Sequence, residues 1–292
     1  MYNFKTLSEL VELAKKENLS IVDIIIEREK GLTNKSEDEI RAKMGKALEV
    51  MREAIDTGLT ENIKSTSGLS GGDAKLLVDA QRKGNTVTGM VLSSAISKAI
   101  AVAEVNAAMG RIVAVPTAGS CGILPGALLA VAEAKDLTDE VIIDGLFVAS
   151  GIGLIIDKQA TVSGAEGGCQ AECGSAAAMA AGAIVYMLGG NEEQVLDAVA
   201  IALKNILGLI CDPVGGLVEV PCIKRNAGGA SNALTAAELA LAGIKSHIPA
   251  DEVIIAMKKV GEFLPPQLKE TSLGGLAVTP TGCKIKEELL SK

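Results

Sequence analysis

At 292 residues the chain is long enough for one large domain or two smaller ones with a substantial core. It is 48% hydrophobic but only 2% aromatic, with no Trp, three Phe and two Tyr, so the core has to be built from Ala, Val, Ile and Leu packed closely among glycines. A net charge of −8 with so few aromatic rings argues against nucleic acid as a partner, because phosphate attraction and base stacking are both missing.

Charge is concentrated at the start: residues 1–60 hold 22 charged side chains, whereas the longer stretch 85–175 holds 13. Met-Tyr-Asn-Phe-Lys runs straight into an amphipathic pattern of Leu7, Leu10, Val11 and Leu13, with Thr6 or Ser8 as its cap. Ser20, and Asn34 or Ser36, mark later helix starts, the second followed by acidic residues suited to a helix N-terminus. From about Val87 the chain turns apolar and Ala-rich, and the pattern predicts helices near 88–109, 124–134, 138–155, 173–188, 192–208, 228–243 and 250–262. Ile112–Pro116 and Val218–Pro221 read as short extended segments rather than strands of a sheet. The expected fold is all-α: a helical bundle with buried Ala/Gly-rich central helices and Gly/Ser-rich loops at the active site.

A mean hydropathy of +0.35 invites a membrane reading. The uncharged run Ile112–Ala132 carries Pro116, Pro125, Gly119, Gly122 and Gly126, which a lipid-spanning helix would rarely combine, so no membrane is expected and the chain reads as cytoplasmic. Six cysteines in a reducing compartment point away from disulfides. Cys173, in an Ala-rich run, reads as a small packing residue. Cys211 and Cys222 read differently. They bracket the turn-rich Asp-Pro-Val-Gly-Gly loop and lead into Lys224, Arg225 and Asn226, as thiolates of a metal or cluster site would.

Four Gly/Ser-rich segments recur ahead of predicted helices: Ser67–Asp73, Pro116–Gly122, Ser163–Cys169 and Asn226–Ser231. Backbone N–H groups at helix starts with hydroxyls nearby form anion sites. None has a P-loop ending or follows a strand as a dinucleotide fingerprint should. Spacing alone leaves open whether Cys169, Cys211 and Cys222 share a site, since it fits neither a zinc finger nor a ferredoxin.

The segments Gly168–Glu172, Leu207–Pro213, Val220–Ala227, Pro116–Gly122 and Glu270–Ala277 resemble, in order, the iron–sulfur-dependent L-serine dehydratases, over roughly 65–283. The resemblance is to the alpha part and implies one catalytic domain over 1–292, with residues 1–60 a charged helical layer and 65–283 a cluster-binding core. It implies a 4Fe–4S cluster on Cys169, Cys211 and Cys222, with Cys283 as an occluding fourth ligand in imperfect register, and Cys121 lining the site without ligating. The implied reaction converts L-serine to pyruvate and ammonia, the hydroxyl being activated by Lewis acidity at an open iron. Ser67, Ser70, Gly71, Thr117, Ser120, Lys224, Arg225 and Asn226 are the substrate-binding candidates.

The single histidine, His247, reads as a surface residue of an inter-helix loop. Single-chain relatives carry a Gly-Pro-Ser-Ser-Ser-His-Thr loop that nothing here matches, so the resemblance implies a beta subunit that supplies the catalytic base. Two other readings remain: a related L-cysteine desulfidase using the same iron, and a non-catalytic helical binding module whose cysteines only pack. Pyridoxal phosphate is not expected, for want of the α/β strand pattern its dehydratases need.

Overall fold

The computed structural model describes residues 2–291, and among them it has thirteen α-helices, short 3-10 and π turns, and no β-strand, in agreement with the all-α expectation. Three charged helices come first, α1 (Leu7–Glu17), α2 (Ile21–Thr33) and α3 (Glu37–Thr60). Their starts follow from their caps. Thr6 accepts the Glu9 N–H, while Ser20 and Ser36 complete reciprocal capping boxes with Asp23 and Glu39. Asn34 is instead the left-handed C-cap of α2. These helices are more than a surface layer, since Phe4, Leu7, Ile24 and Ile26 are buried in the same continuous core as the Ala-rich middle of the chain.

The remaining helices are α4 (Asp73–Arg82), α5 (Met90–Ala107), α6 (Ile123–Ala134), α7 (Asp139–Gln159), the single turn α8 (Gly164–Gly167), α9 (Ser175–Met187), α10 (Glu192–Lys204), α11 (Cys222–Leu241), α12 (Ala250–Phe263) and α13 (Pro280–Leu290). Buried almost completely, α9 has α6, α7, α10 and α11 packed around it. Its Ala-rich surface is what lets four helices approach one axis. The crossing of α5 and α6 is tighter still: a Cβ on Gly126 would sit 2.7 Å from the Ala99 backbone nitrogen.

Among the described residues one helix, α5, is long and apolar enough to cross a membrane, but it is 61% buried and carries Lys98 and Glu104. The uncharged run tested above folds as a loop followed by the twelve residues of α6. Ile112–Pro116 and Val218–Pro221 join no sheet, and among the described residues the isolated β-pairing is a parallel bridge between Cys211 and Lys269.

One expected loop is not a loop. Asn226–Ser231 lies inside α11, which begins at Cys222 rather than near residue 228. Gly229 serves a helix crossing and not a turn, because a Cβ there would meet the Ile123 side chain at 2.4 Å. The other three segments do precede helical turns, at α4, α6 and the π turn before α9.

The N-terminus is fastened by one carboxylate of α12. Asp251 accepts from Leu7 N (2.8 Å), Ser8 N (3.0 Å), Ser8 Oγ (2.7 Å) and Gln159 Nε2 (3.0 Å), capping α1 from across the chain. Asp251→Ala is expected to cost about 1–3 kcal/mol by denaturant melts, the range for losing a cap together with buried bonds.

Candidate metal centre

The chain reaches the first cysteine through an unusual turn. After α7 and α8 it enters a π-helical segment, Gln170–Gly174, that runs directly into α9. Gln170 holds this turn from within: Nε2 donates to Gly167 O and Met257 O, both at 3.0 Å, and Oε1 accepts from Gly208 N at 2.9 Å. The turn is thereby tied to α12 and to the segment that leads to Cys211. Cys211 is fixed by its backbone, donating to Leu268 O and accepting from Glu270 N, each at 2.9 Å. Cys222 is the first residue of α11.

Donor atoms of Cys169, Glu172 and Cys211 lie within 4.8 Å of one another. Cys222, expected to join Cys169 and Cys211, is buried but lies outside this group of three, though near enough that the Cys169 charge acts on its thiol. Arg225, one turn into α11, donates through Nη1 to Cys169 Sγ (3.4 Å) and Ile210 O (2.9 Å), and through Nη2 to Asp212 Oδ1 (2.8 Å).

One thiolate organises the electrostatics. Bonds from the Cys173 and Cys211 thiols, together with the nearby Arg225 charge, lower the Cys169 pKa to about 3 against the opposing effect of burial. Donating to that thiolate pushes the Cys173 and Cys211 thiols up. Burial and the Cys169 charge push Cys222 up to about 12. Burial also raises Glu172 to about 7, with Thr117 pulling the other way. Several soft donors thus share one negative charge. A cation entering here displaces protons from the others, as thiolate metal sites do.

The expected substrate residues separate by position. Thr117 reaches the carboxylate beside the thiols, donating from Oγ1 to Glu172 Oε1 at 2.7 Å. Ser120 is fully buried behind it, donating to Val115 O at 3.2 Å. Arg225 is at the centre but committed to Cys169 and Asp212. Asn226 is a buried brace, accepting from Gly122 N and donating to Gly119 O and Cys222 O. Lys224 lies outward, paired with Asp73 at 2.6 Å. The loop with Ser67, Ser70 and Gly71 is linked to Cys222's segment by Ser70 Oγ donating to Glu219 at 2.6 Å. Cys283 is exposed on α13 and is not among the converging donors. The Cys121 thiol turns to Val102 O on α5, 3.9 Å away, rather than into the centre. His247 is exposed between α11 and α12.

A family model described as "Serine dehydratase alpha chain" matches residues 16–277. The chain belongs to this family. It is 51% identical to "Probable L-serine dehydratase, alpha chain" of Bacillus subtilis over 98% of this chain and 95% of that one. It is 44% identical to "L-serine dehydratase, alpha chain" of Peptoniphilus asaccharolyticus over 98% of both. Against "L-serine dehydratase" of Streptomyces coelicolor it is 40% identical, covering 97% of this chain but 62% of that longer one.

In this serine dehydratase alpha chain, three acidic residues of the centre escape a reading of the sequence alone. Glu172 follows Cys169 by three positions, a spacing that places it about one turn on, and that was the available signal. Asp212 and Glu219 become informative only through their partners, Arg225 and Ser70. Cys173 is buried as expected, yet it also donates to the Cys169 thiolate. Arg225→Lys keeps the charge but cannot span Cys169, Ile210 O and Asp212 together. Metal retention against a chelator is expected to fall by about 10–100-fold, as for other outer partners of metal ligands.

Proposed function

We propose that this chain is the alpha subunit of an iron–sulfur L-serine dehydratase, converting L-serine to pyruvate and ammonia with a beta chain as partner. The observation that carries the proposal is the convergence of Cys169, Cys211 and Glu172 within 4.8 Å, with the buried Cys222 outside that group but within reach of the Cys169 charge. The donor set suits the group, since several thiolates without histidine select iron–sulfur clusters over hard cations. Gly164 lets its turn approach the donors closely: a Cβ there would lie 2.6 Å from Glu172 Oε2 and 3.4 Å from Cys211 Sγ.

Cys169, Cys211 and Cys222 would hold the cluster, leaving one iron without a protein thiolate from this trio. Bound there, a 4Fe–4S group supplies a Lewis acid that makes the departing hydroxide of serine less basic. Arg225 orients the Cys169 thiolate, and Asn226 fixes the Gly119–Gly122 turn against α11. Thr117 holds Glu172 through Oε1, and Oε2 packs against Gly164, which keeps the carboxylate beside the thiols. The aminoacrylate released by loss of water then hydrolyses to pyruvate and ammonia. With its one histidine exposed in a loop, the chain takes its base from the partner. Residues 65–283 serve as the cluster-binding part and 1–60 complete the helical core around it, in a reducing cytoplasm.

The test is anaerobic reconstitution of the chain with ferrous iron and sulfide, addition of the beta chain, and measurement of pyruvate from L-serine and from L-cysteine. Pyruvate from serine with bound iron is expected. A cysteine-only activity would instead make it a desulfidase, and protein without iron or pyruvate would leave only a helical binding module.

A further inference from the structure

Asp212 is 2% exposed, and its carboxylate is divided between two parts of the chain. Oδ1 accepts from Arg225 Nη2 at 2.8 Å, and Oδ2 accepts the Leu276 N–H at 2.7 Å. Because the other arm of Arg225 reaches Cys169 Sγ, a bonded path runs from a thiol of the metal centre to the C-terminal segment 264–279. Of that segment's apolar side chains only the small Ala277 is buried. Leu273, Leu276 and Val278 are exposed by 63%, 44% and 52%. What seats it is mainly polar: Cys211 N donates to Leu268 O, Glu270 N donates to Cys211 O, Ser272 Oγ donates to Pro213 O at 2.7 Å, and Leu276 N donates to Asp212. The approach is close enough to require glycine at 275, where φ is +58° and a Cβ would lie 2.4 Å from Asp212 Oδ2.

We propose that Asp212 is a positioning residue that couples filling of the thiol site to seating of segment 264–279. Filling the site fixes Cys169 and with it Arg225, which holds Asp212 in the orientation that receives Leu276. A segment held by a few polar bonds and little burial opens easily when one of them loosens. By linkage, a seated segment retains the metal more tightly by the same factor. The inference rests on the iron–sulfur reading given above.

The experiment compares hydrogen exchange at the Glu270 and Leu276 amides in the full chain, metal-free and anaerobically reconstituted with ferrous iron and sulfide, with iron content measured alongside. Wild-type exchange is expected to slow about tenfold on loading. In Asp212→Asn, which can satisfy Arg225 or Leu276 but not both with one oxygen, that difference should vanish and iron should leave to a chelator about tenfold faster. Leu276→Pro removes the same link from its other end at an exposed side chain, and should behave alike at Glu270. Ser272→Ala, outside the path, should speed exchange equally in both states. Equal exchange in loaded and metal-free wild type, or a wild-type difference kept by Asp212→Asn, overturns the coupling. A chain that makes pyruvate without coupling overturns only this inference, and one that couples without making pyruvate overturns only the activity. Failure of the wild type to take up iron overturns both.

Discussion

Cys211→Ala is expected to abolish retention of iron and to lower pyruvate formation from L-serine by at least about a hundredfold. Changes one step removed from a metal ligand already cost about 10–100-fold, so loss of a proposed ligand sets the floor there. The fold should survive. The thiol is small, and trimming it to a methyl opens only a minor cavity, for a cost of about 1 kcal/mol. Cys121→Ala is the matched control. That thiol is equally buried, but it faces Val102 O and lies outside the converging donors, so iron and activity should persist. Metal analysis and a coupled pyruvate assay on the two proteins decide the matter: an unchanged Cys211→Ala protein would remove the metal-centre assignment.

Gly126→Val is expected to damage the fold severely. Its Cβ would stand 2.7 Å from Ala99 N, and 2.9 Å from both Ala95 O and Ala99 Cα. All three are backbone atoms of α5, so no side chain can turn aside, and the helices must separate along their crossing. Overpacking of this kind costs about 3 kcal/mol. For a chain of this size that lowers the melting temperature by roughly 5–10 °C. Gly89→Ala, with nothing within 4 Å of the added carbon, should stay within about 0.5 kcal/mol of wild type. Comparable melts for the two variants would contradict the packing account.

Helix identity was legible because caps and periodicity are local. Thr6, Ser20 and Ser36 act within four residues, and the Ala-rich run at 175–187 contains little that suits a surface. Asn226–Ser231 misled for a related reason. A glycine pair in sequence signals a turn, and only the neighbouring Ile123 shows that the missing side chain of Gly229 makes room for a helix crossing. Lys224 and Arg225 are likewise adjacent in sequence, yet one pairs with Asp73 at the surface and the other with the Cys169 thiol. Successive helix positions are about 100° apart, so neighbours in the chain face different surroundings.

Taken alone, the chain's residues were enough for an all-α core of small side chains and for the segments that resemble the serine dehydratase alpha family, since both are written in composition and in order along the chain. Folding decided which groups meet: Glu172 with Cys169 and Cys211, Arg225 with Asp212, and Asp212 with Leu276. The physical reason is range. Propensity and capping act over one helical turn, whereas thiols 42 positions apart come together only once a bundle has closed around α9. Their charges likewise depend on burial and partners that exist only in the packed chain.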